Sequence, residues 1–279
     1  MWQTWGFQPQ QNDDAPLQDP DPYVDDGVSQ LRAYLSNHPQ TSYRVNSILS
    51  LPTDYVHVGY DLGWGCGYRN TAMMYSCVRR LPAFQQHFRT YGFPDHLTLQ
   101  NVQEIMEMSW KAGFDPDGKN QLQGKVYGRS KWIGATDVWS FFHFLRVPMK
   151  IVDVQSGADN LIKWITNYFL ERATGDKMVT VGTGPPRPFC PPLYLQGHDH
   201  SLTIVGVVPD EEVLIVFDPS DPQQFENIPA FHHCEGSLFR RRSTLARFSQ
   251  LYQILYLDTD SLLPEETTEL DKRVSATLV

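Results

Sequence analysis

The chain has 279 residues, 41% of them hydrophobic, and a net charge of -9 at pH 7. This is enough chain for one large domain or two small ones with a proper core, and the acidic balance argues against nucleic acid as a direct ligand while suiting a basic partner surface. The sequence has no apolar run of membrane-spanning length, no secretory signal and no CxxC among its four cysteines, so the expectation is a soluble intracellular monomer, cytoplasmic or nuclear, with reduced thiols.

Residues 1–24 are rich in Pro, Gln and Asp, too polar to bury a core, and are expected to be disordered. Val28, Leu31 and Leu35 then recur at helical spacing, in a segment that ends near Pro39. Residues 42–60 read as an irregular or strand-like approach to Gly63-Trp64-Gly65-Cys66-Gly67-Tyr68-Arg69-Asn70. From Cys66 the apolar positions Met73, Met74, Cys77, Val78 and Leu81 form one face of a helix, stopped by Pro82. Cys66 therefore sits at a helix N-terminus, where free N–H groups and the positive end of the dipole favour a thiolate. Gly65 and Gly67 are expected to leave room for a substrate backbone to reach the sulfur. Cys66 is the candidate nucleophile.

Thr98 is placed to cap a second helix with the face Val102, Ile105, Met106 and Trp110. A polar stretch from Gly113 to Lys131 follows, and Trp132-Ile133-Gly134 leads into a third helix with Val138, Phe141, Phe142 and Leu145 on one side. Val147–Asp153 reads as a strand, and Leu161, Ile165, Tyr168 and Phe169 mark another helix. The pattern then turns to strands: Met178–Gly182, Ser201–Val208, Val213–Phe217 and Tyr252–Leu257, with a loop of five prolines over Gly182–Pro192. Helices first and a mainly antiparallel sheet afterwards define an α+β domain over residues 25–257. The polar, acidic residues 258–279 are expected to be a flexible tail.

A thiol nucleophile needs a base, and the base an orienting group. His200 immediately precedes the strand Ser201–Val208, and Asp218 immediately follows Val213–Phe217, with a hairpin turn over residues 209–212 between them. Antiparallel pairing brings His200 and Asp218 to the same end of the hairpin. His198 is the rival base, two residues upstream. His232-His233-Cys234 resembles part of a metal site but has no second ligand pair at zinc spacing. Arg240-Arg241-Arg242 reads as a solvated or ion-paired surface run. The backbone N–H of Cys66 is the first oxyanion donor, and Tyr55, His57 and Tyr60 are candidates for the second. Neither metal nor cofactor is required.

The blocks GWGCGYRN, Trp110–Pro116, Trp132–Ala135, Pro192–Gln196, His200-Ser201, Leu214–Pro219 and Tyr252–Tyr256 occur in an order that resembles the papain-like catalytic domain of the zinc-finger ubiquitin peptidases, itself related to the ubiquitin-fold-modifier proteases. The resemblance spans roughly residues 42–257 and has no Cys/His finger before it. It implies a papain-like fold and a deubiquitinase using Cys66, His200 and Asp218, acting on ubiquitin and polyubiquitin with a preference for lysine-63 linkages. The ubiquitin-fold-modifier and autophagy proteases carry their histidine in an Asp-Pro-His triplet, whereas this chain has Asp218-Pro219-Ser220. His200 therefore fits the ubiquitin type, with another modifier, or an inactive binding module, as the alternatives. Trp64 and Trp132 are the expected walls of a narrow Gly-Gly channel. Asp115 and Asp137, inside the shared blocks, are expected to meet the arginines of the ubiquitin tail, with a turn and a helix cap as their structural alternatives.

Overall fold

Along Val213–Phe217 every residue is buried, and alternate side chains enter opposite cores. Val213, Ile215 and Phe217 pack on one side; Leu214 and Val216 pack on the other. A strand buried on both faces at a period of two belongs inside a sheet covered on both sides. The computed structural model describes residues 23–37, 46–155, 157–182, 184–224, 235–248 and 251–279, and shows that arrangement. The first part holds β1 (Tyr23–Val24), α1 (Gly27–Asn37), β2 (Ile48–Leu49), β3 (Tyr55–Val56), α2 (Cys66–Val78), α3 (Pro82–Tyr91), α4 (Leu99–Lys111), α5 (Pro116–Gln121) and α6 (Ala135–Phe144). The second holds β4 (Met149–Val154), α7 (Ala158–Thr174), β5 (Met178–Val179), β6 (Arg187–Pro188), β7 (Leu193–Gln196), β8 (Ser201–Val208), β9 (Val213–Phe217), α8 (Glu235–Leu238), β10 (Phe239–Arg240), α9 (Arg242–Phe248), β11 (Tyr252–Leu257) and β12 (Ala276–Leu278).

The main sheet runs β10-β9-β8-β7-β11-β4-β12, with β2 also on β8. Helices α2, α4 and α6 cover one face through Met73, Val102, Ile105, Met106, Phe141 and Phe142. Helix α7 covers the other through Leu161, Ile162, Ile165 and Phe169. The class is α+β, as expected. The sheet is mixed rather than wholly antiparallel, because β12 joins β4 in parallel.

Helix α2 starts at Cys66, as its pattern indicates. Pro82 does end that pattern, yet it is also the first residue of α3, where a missing N–H costs nothing. Thr98 caps α4 in a reciprocal box with Asn101. The polar stretch after α4 is ordered by side chains: Glu107 accepts the backbone N–H groups of Val126 (2.8 Å) and Tyr127 (2.6 Å). Tyr68 of α2 donates to the Lys131 carbonyl at 2.9 Å and so ties the stretch before Trp132 to the cysteine helix.

The expectation of a flexible tail over residues 258–279 is corrected. Ala276, Thr277 and Leu278 pair with Ile151, Val152 and Asp153. Leu263 exchanges hydrogen bonds with Arg146, and the Lys272 carbonyl accepts the Asp115 N–H at 2.9 Å. The free edge of β4 offers unpaired backbone groups, and Leu262 and Val274 pack against the main core, so an acidic composition does not keep the segment in solvent. Residues 1–22 lie outside the described residues, as do Pro39, His232, His233 and Cys234.

Candidate active site

Cys66 is the first residue of α2, with Gly65 as a cap that has no side chain to satisfy the helix N–H groups. The two flanking glycines have a different reason from the one expected of them. A Cβ on Gly65 would lie 1.7 Å from Asp61 Oδ2, and one on Gly67 would lie 2.5 Å from Ile133 Cγ1. They make room for the protein's own packing. Asp61 in turn holds Arg69 through two hydrogen bonds of 2.9 Å, with the two side chains 0% and 1% exposed. It also accepts the Gly59 N–H at 2.9 Å and, through its carbonyl, the Gly65 N–H at 2.8 Å. The loop that carries the cysteine is thus anchored to its own helix by a buried ion pair.

The hairpin forms with Val208 opposite Val213 and Thr203 opposite Phe217. This brings His200 Nε2 to 2.8 Å from Asp218 Oδ1. With Nε2 taken by the carboxylate, Nδ1 is the nitrogen left for the sulfur, and His200 is hydrogen-bonded to Cys66. His198 lies in an exposed bend and joins neither group. Burial alone would push the Cys66 thiol up, but hydrogen bonds from His200 and Ser201 and the His200 charge outweigh it and leave the thiol below its ordinary value. Burial likewise opposes the His200 imidazolium, yet Asp218 and Cys66 raise it to about 10. Asp218, against its own burial, is held down to about 2 by His200 and Ser220. Such a set shifts the balance towards the thiolate–imidazolium pair. Burial outweighs the neighbouring arginines at Cys77 and Cys190 and pushes both thiols up to about 12.

Ser201, Asn70 and Thr203 were not legible as site residues. Thr203 Oγ1 donates to Asn70 Oδ1 at 2.7 Å. Asn70 Nδ2 donates to Ser201 Oγ at 3.0 Å and to the Cys66 carbonyl at 2.9 Å. The Ser201 hydroxyl, with its oxygen already accepting, has its proton for Cys66. All three side chains are buried, and Ser201 is hydrogen-bonded to Tyr194 as well as to Cys66, so the network ties β8 to the helix that carries the sulfur. Their spacing of four residues on a helix and two on a strand is the signal that places them together once α2 and β8 are known to pack.

Tyr55 is corrected as an oxyanion donor. It is fully buried and its hydroxyl donates to the carbonyls of Asp218 (2.9 Å) and Asp221, so it braces the aspartate turn. Tyr60 is exposed, and its hydroxyl accepts from Gln100 at 3.1 Å. His57 is half-buried with Nδ1 3.1 Å from the Val58 carbonyl. That contact engages the ring with the chain's own backbone. Trp132 is 56% exposed and donates its indole N–H to the Gly63 carbonyl at 2.9 Å, which sets it over the cysteine loop. Trp64 is half-buried and meets Tyr68 edge-on.

Asp115 and Asp137 take their structural roles. Asp115 caps α5 in a left-handed conformation (φ 44°) and accepts the Gly118 N–H; Asp137 accepts the Gly134 N–H at 2.9 Å at the start of α6. Neither lies on an open surface, at 4% and 6% exposure. Each nevertheless keeps one buried oxygen with no hydrogen-bond partner among the described residues, Asp115 Oδ2 and Asp137 Oδ1. The two oxygens converge: a Cβ on Gly118 would be 2.2 Å from the first and 2.9 Å from the second. Burial raises both carboxyls, Asp137 to about 7, with the charge of Asp115 adding to the effect.

A thiol at a helix start, facing a histidine–aspartate pair on a sheet, is the arrangement of a papain-like cysteine peptidase. The sequence profile of peptidase family C78 matches residues 45–255, and the chain belongs to that family of cysteine peptidases. It is 32% identical over 218 residues to zinc finger-containing ubiquitin peptidase 1 of Bos taurus, covering 72% of this chain and 36% of that protein. It is 30% identical over 226 residues to ubiquitin carboxyl-terminal hydrolase mug105 of Schizosaccharomyces pombe, covering 77% and 83%. The chain thus spans about a third of the length of the zinc-finger relative. The crystal structure of UfSP from C. elegans aligns with a TM-score of 0.48 at 16% identity, over 81% of this chain and 37% of that one.

Proposed function

We propose that the protein is a deubiquitinating enzyme that hydrolyses the isopeptide bond after the C-terminal glycine of ubiquitin, with a preference for lysine-63-linked chains. The observation that carries the reading is the Cys66 thiol held below its ordinary value beside the His200–Asp218 pair. The names of the cattle and fission-yeast relatives point to ubiquitin as the substrate. The linkage preference rests on resemblance to the zinc-finger enzymes alone. In the first half-reaction the Cys66 thiolate attacks the glycine carbonyl carbon, and the Cys66 backbone N–H donates to the oxyanion. His200 gives its proton to the lysine amine as the C–N bond breaks, which leaves a thioester. Water then attacks that carbonyl, His200 takes its proton, and the thiolate leaves. In this reading Trp132, held to the cysteine loop at Gly63, and Trp64, next but one to Cys66 in the chain, wall a channel for a tail of two glycines. Ubiquitin with a C-terminal propargyl warhead is expected to form a covalent adduct mapping to Cys66. An adduct with the ubiquitin-fold modifier and none with ubiquitin would replace this reading, and equal cleavage of all diubiquitin linkages would remove the lysine-63 preference.

In this reading the acid pair also takes an arginine of the incoming tail, the residues that cover its two buried oxygens moving aside on binding. Two desolvated carboxylates with converging orphan oxygens favour either a shared proton or a cation between them, and a guanidinium offers paired donors. Substrate arginine binds the ionised pair, so affinity is expected to improve as pH rises through about 7. Stability runs the other way: the folded state holds the Asp137 proton longer than the unfolded chain, so folding loses stability as pH climbs from about 4 towards 7. Asp137→Asn keeps an acceptor for the Gly134 N–H and removes a desolvated charge. It is expected to preserve the melting temperature while lowering kcat/KM about tenfold, the scale of one lost charge-assisted bond. Unchanged kcat/KM would leave Asp137 as a cap only.

A further inference from the structure

Arg240 is the second residue of the two-residue strand β10, paired with Leu214 of β9. That pairing sets Arg240 opposite the start of β9, and its long side chain reaches along the sheet to Asp218, just past the other end of the strand. Its Nη2 donates to Asp218 Oδ2 at 3.0 Å, with both side chains largely buried. The other oxygen, Oδ1, takes His200 Nε2 at 2.8 Å, the Ser220 hydroxyl at 2.6 Å and the Ser220 N–H at 3.0 Å. Gln224 accepts the Asp218 N–H at 3.1 Å, and Tyr55 donates to its carbonyl. The carboxylate is therefore divided: one oxygen serves the imidazole, and the other is held by a guanidinium. Its neighbours in arginine's own run go elsewhere, Arg241 to Glu211 and Arg242 to Asp159.

We propose that Arg240 is a positioning residue for peptide-bond cleavage, acting through Asp218 on the Cys66–His200 pair. This rests on the reading of Cys66, His200 and Asp218 as the catalytic set. Arg240 acts on the pair through both geometry and charge. A carboxylate held on one oxygen by Arg240 keeps the other aligned on Nε2, so Nδ1 stays on the sulfur. The guanidinium also offsets part of the Asp218 charge, so the imidazolium does not become too weak an acid to protonate the leaving amine. The charged and titratable groups in this cluster are Cys66, His200, Asp218 and Arg240, with the Tyr55 hydroxyl behind the aspartate turn and Tyr194 near the sulfur. Removing the one fixed positive charge disfavours the thiolate and favours the imidazolium. Both limbs of the pH profile must then move to higher pH together.

The test measures the alkylation rate of Cys66 by iodoacetamide, mapped by peptide mass, from pH 4 to 11, beside kcat/KM on a fluorogenic ubiquitin C-terminal amide. Arg240→Gln retains a hydrogen-bond donor without the charge, and is expected to move both limbs up and to slow alkylation at neutral pH by about three- to tenfold. Arg240→Lys retains the charge and is expected to return both limbs to the wild-type positions. Limbs that stay in place in Arg240→Gln, with any activity loss following the melting temperature, would overturn the proposal and leave Arg240 as a structural ion pair. Wild-type alkylation that maps away from Cys66 would instead defeat the catalytic assignment on which it rests.

Discussion

Cys66→Ala is expected to abolish turnover of a ubiquitin amide while leaving ubiquitin binding intact, the largest activity change any single substitution in this chain should produce. The sulfur is the only group at the helix start able to form the thioester, and no neighbouring side chain replaces it. His200→Ala should lose about a thousandfold or more, since it removes both the thiolate's counter-ion and the acid for the leaving amine. Asp218→Asn should be intermediate, because the imidazole remains without its orienting charge, and His198→Ala should stay near wild type because that ring lies in an exposed bend. Iodoacetamide should modify Cys66 far faster than Cys77 or Cys190, whose thiols are pushed up to about 12. Residual cleavage in Cys66→Ala, or a greater loss in His198→Ala than in His200→Ala, would overturn the assignment. The same pair shapes stability. His200, raised from 6.5 to about 10, contributes below its unfolded value and is lost as pH rises through 10. Asp218, lowered from 3.8 to about 2, contributes above its unfolded value and is lost as pH falls through 2.

Asp61→Ala is expected to produce the largest loss of stability. It leaves the Arg69 guanidinium buried without its counter-charge, and removing one partner of a buried pair costs about 3–5 kcal/mol, a large part of the total for a domain of this kind. It also releases the Gly59 N–H from its acceptor, at the start of the loop that leads to Trp64 and Cys66. Gly65→Ala should cost a comparable amount by a different route, since its Cβ falls 1.7 Å from Asp61 Oδ2 and must expel that carboxylate. The double variant Asp61→Leu/Arg69→Met removes both charges at similar volume and should recover most of the stability in urea unfolding. If Asp61→Ala unfolds at the wild-type midpoint, the pair does not anchor the cysteine loop.

Local patterns foretold most of the scaffold. The apolar period of 3.6 placed α2, α4, α6 and α7, because it records which side of a helix is withdrawn from water, and apolar runs bounded by turn residues placed β8 and β9, which are buried on both faces. The position of Cys66 at a helix start, and of His200 and Asp218 at one end of a hairpin, followed from the same patterns, since antiparallel pairing alone sets which residues meet. Short elements were lost: β7, β10 and α5 are too brief for a period to show, and β2 and β3 were legible only as a strand-like approach over residues 42–60. The docking of residues 258–279 was lost as well, because an open sheet edge is a property of β4 and appears nowhere in the acidic segment that fills it.

The sequence by itself determined the elements, the class and the candidate nucleophile, base and orienting acid, because those depend on spacing within one or two neighbouring segments. Only the tertiary structure decided the rest. It set His200, and not His198, against Asp218, gave the Tyr55 hydroxyl to the Asp218 turn, and matched Gly65 and Gly67 to Asp61 and Ile133. It drew Arg240 out of a basic run onto Asp218, and Asn70 and Thr203 onto Ser201 and the sulfur. Apart from Gly65 and Asp61, these are contacts between residues far apart in the chain, where a hydrogen bond of about 3 Å requires two elements to pack in one register, and no local pattern encodes that register.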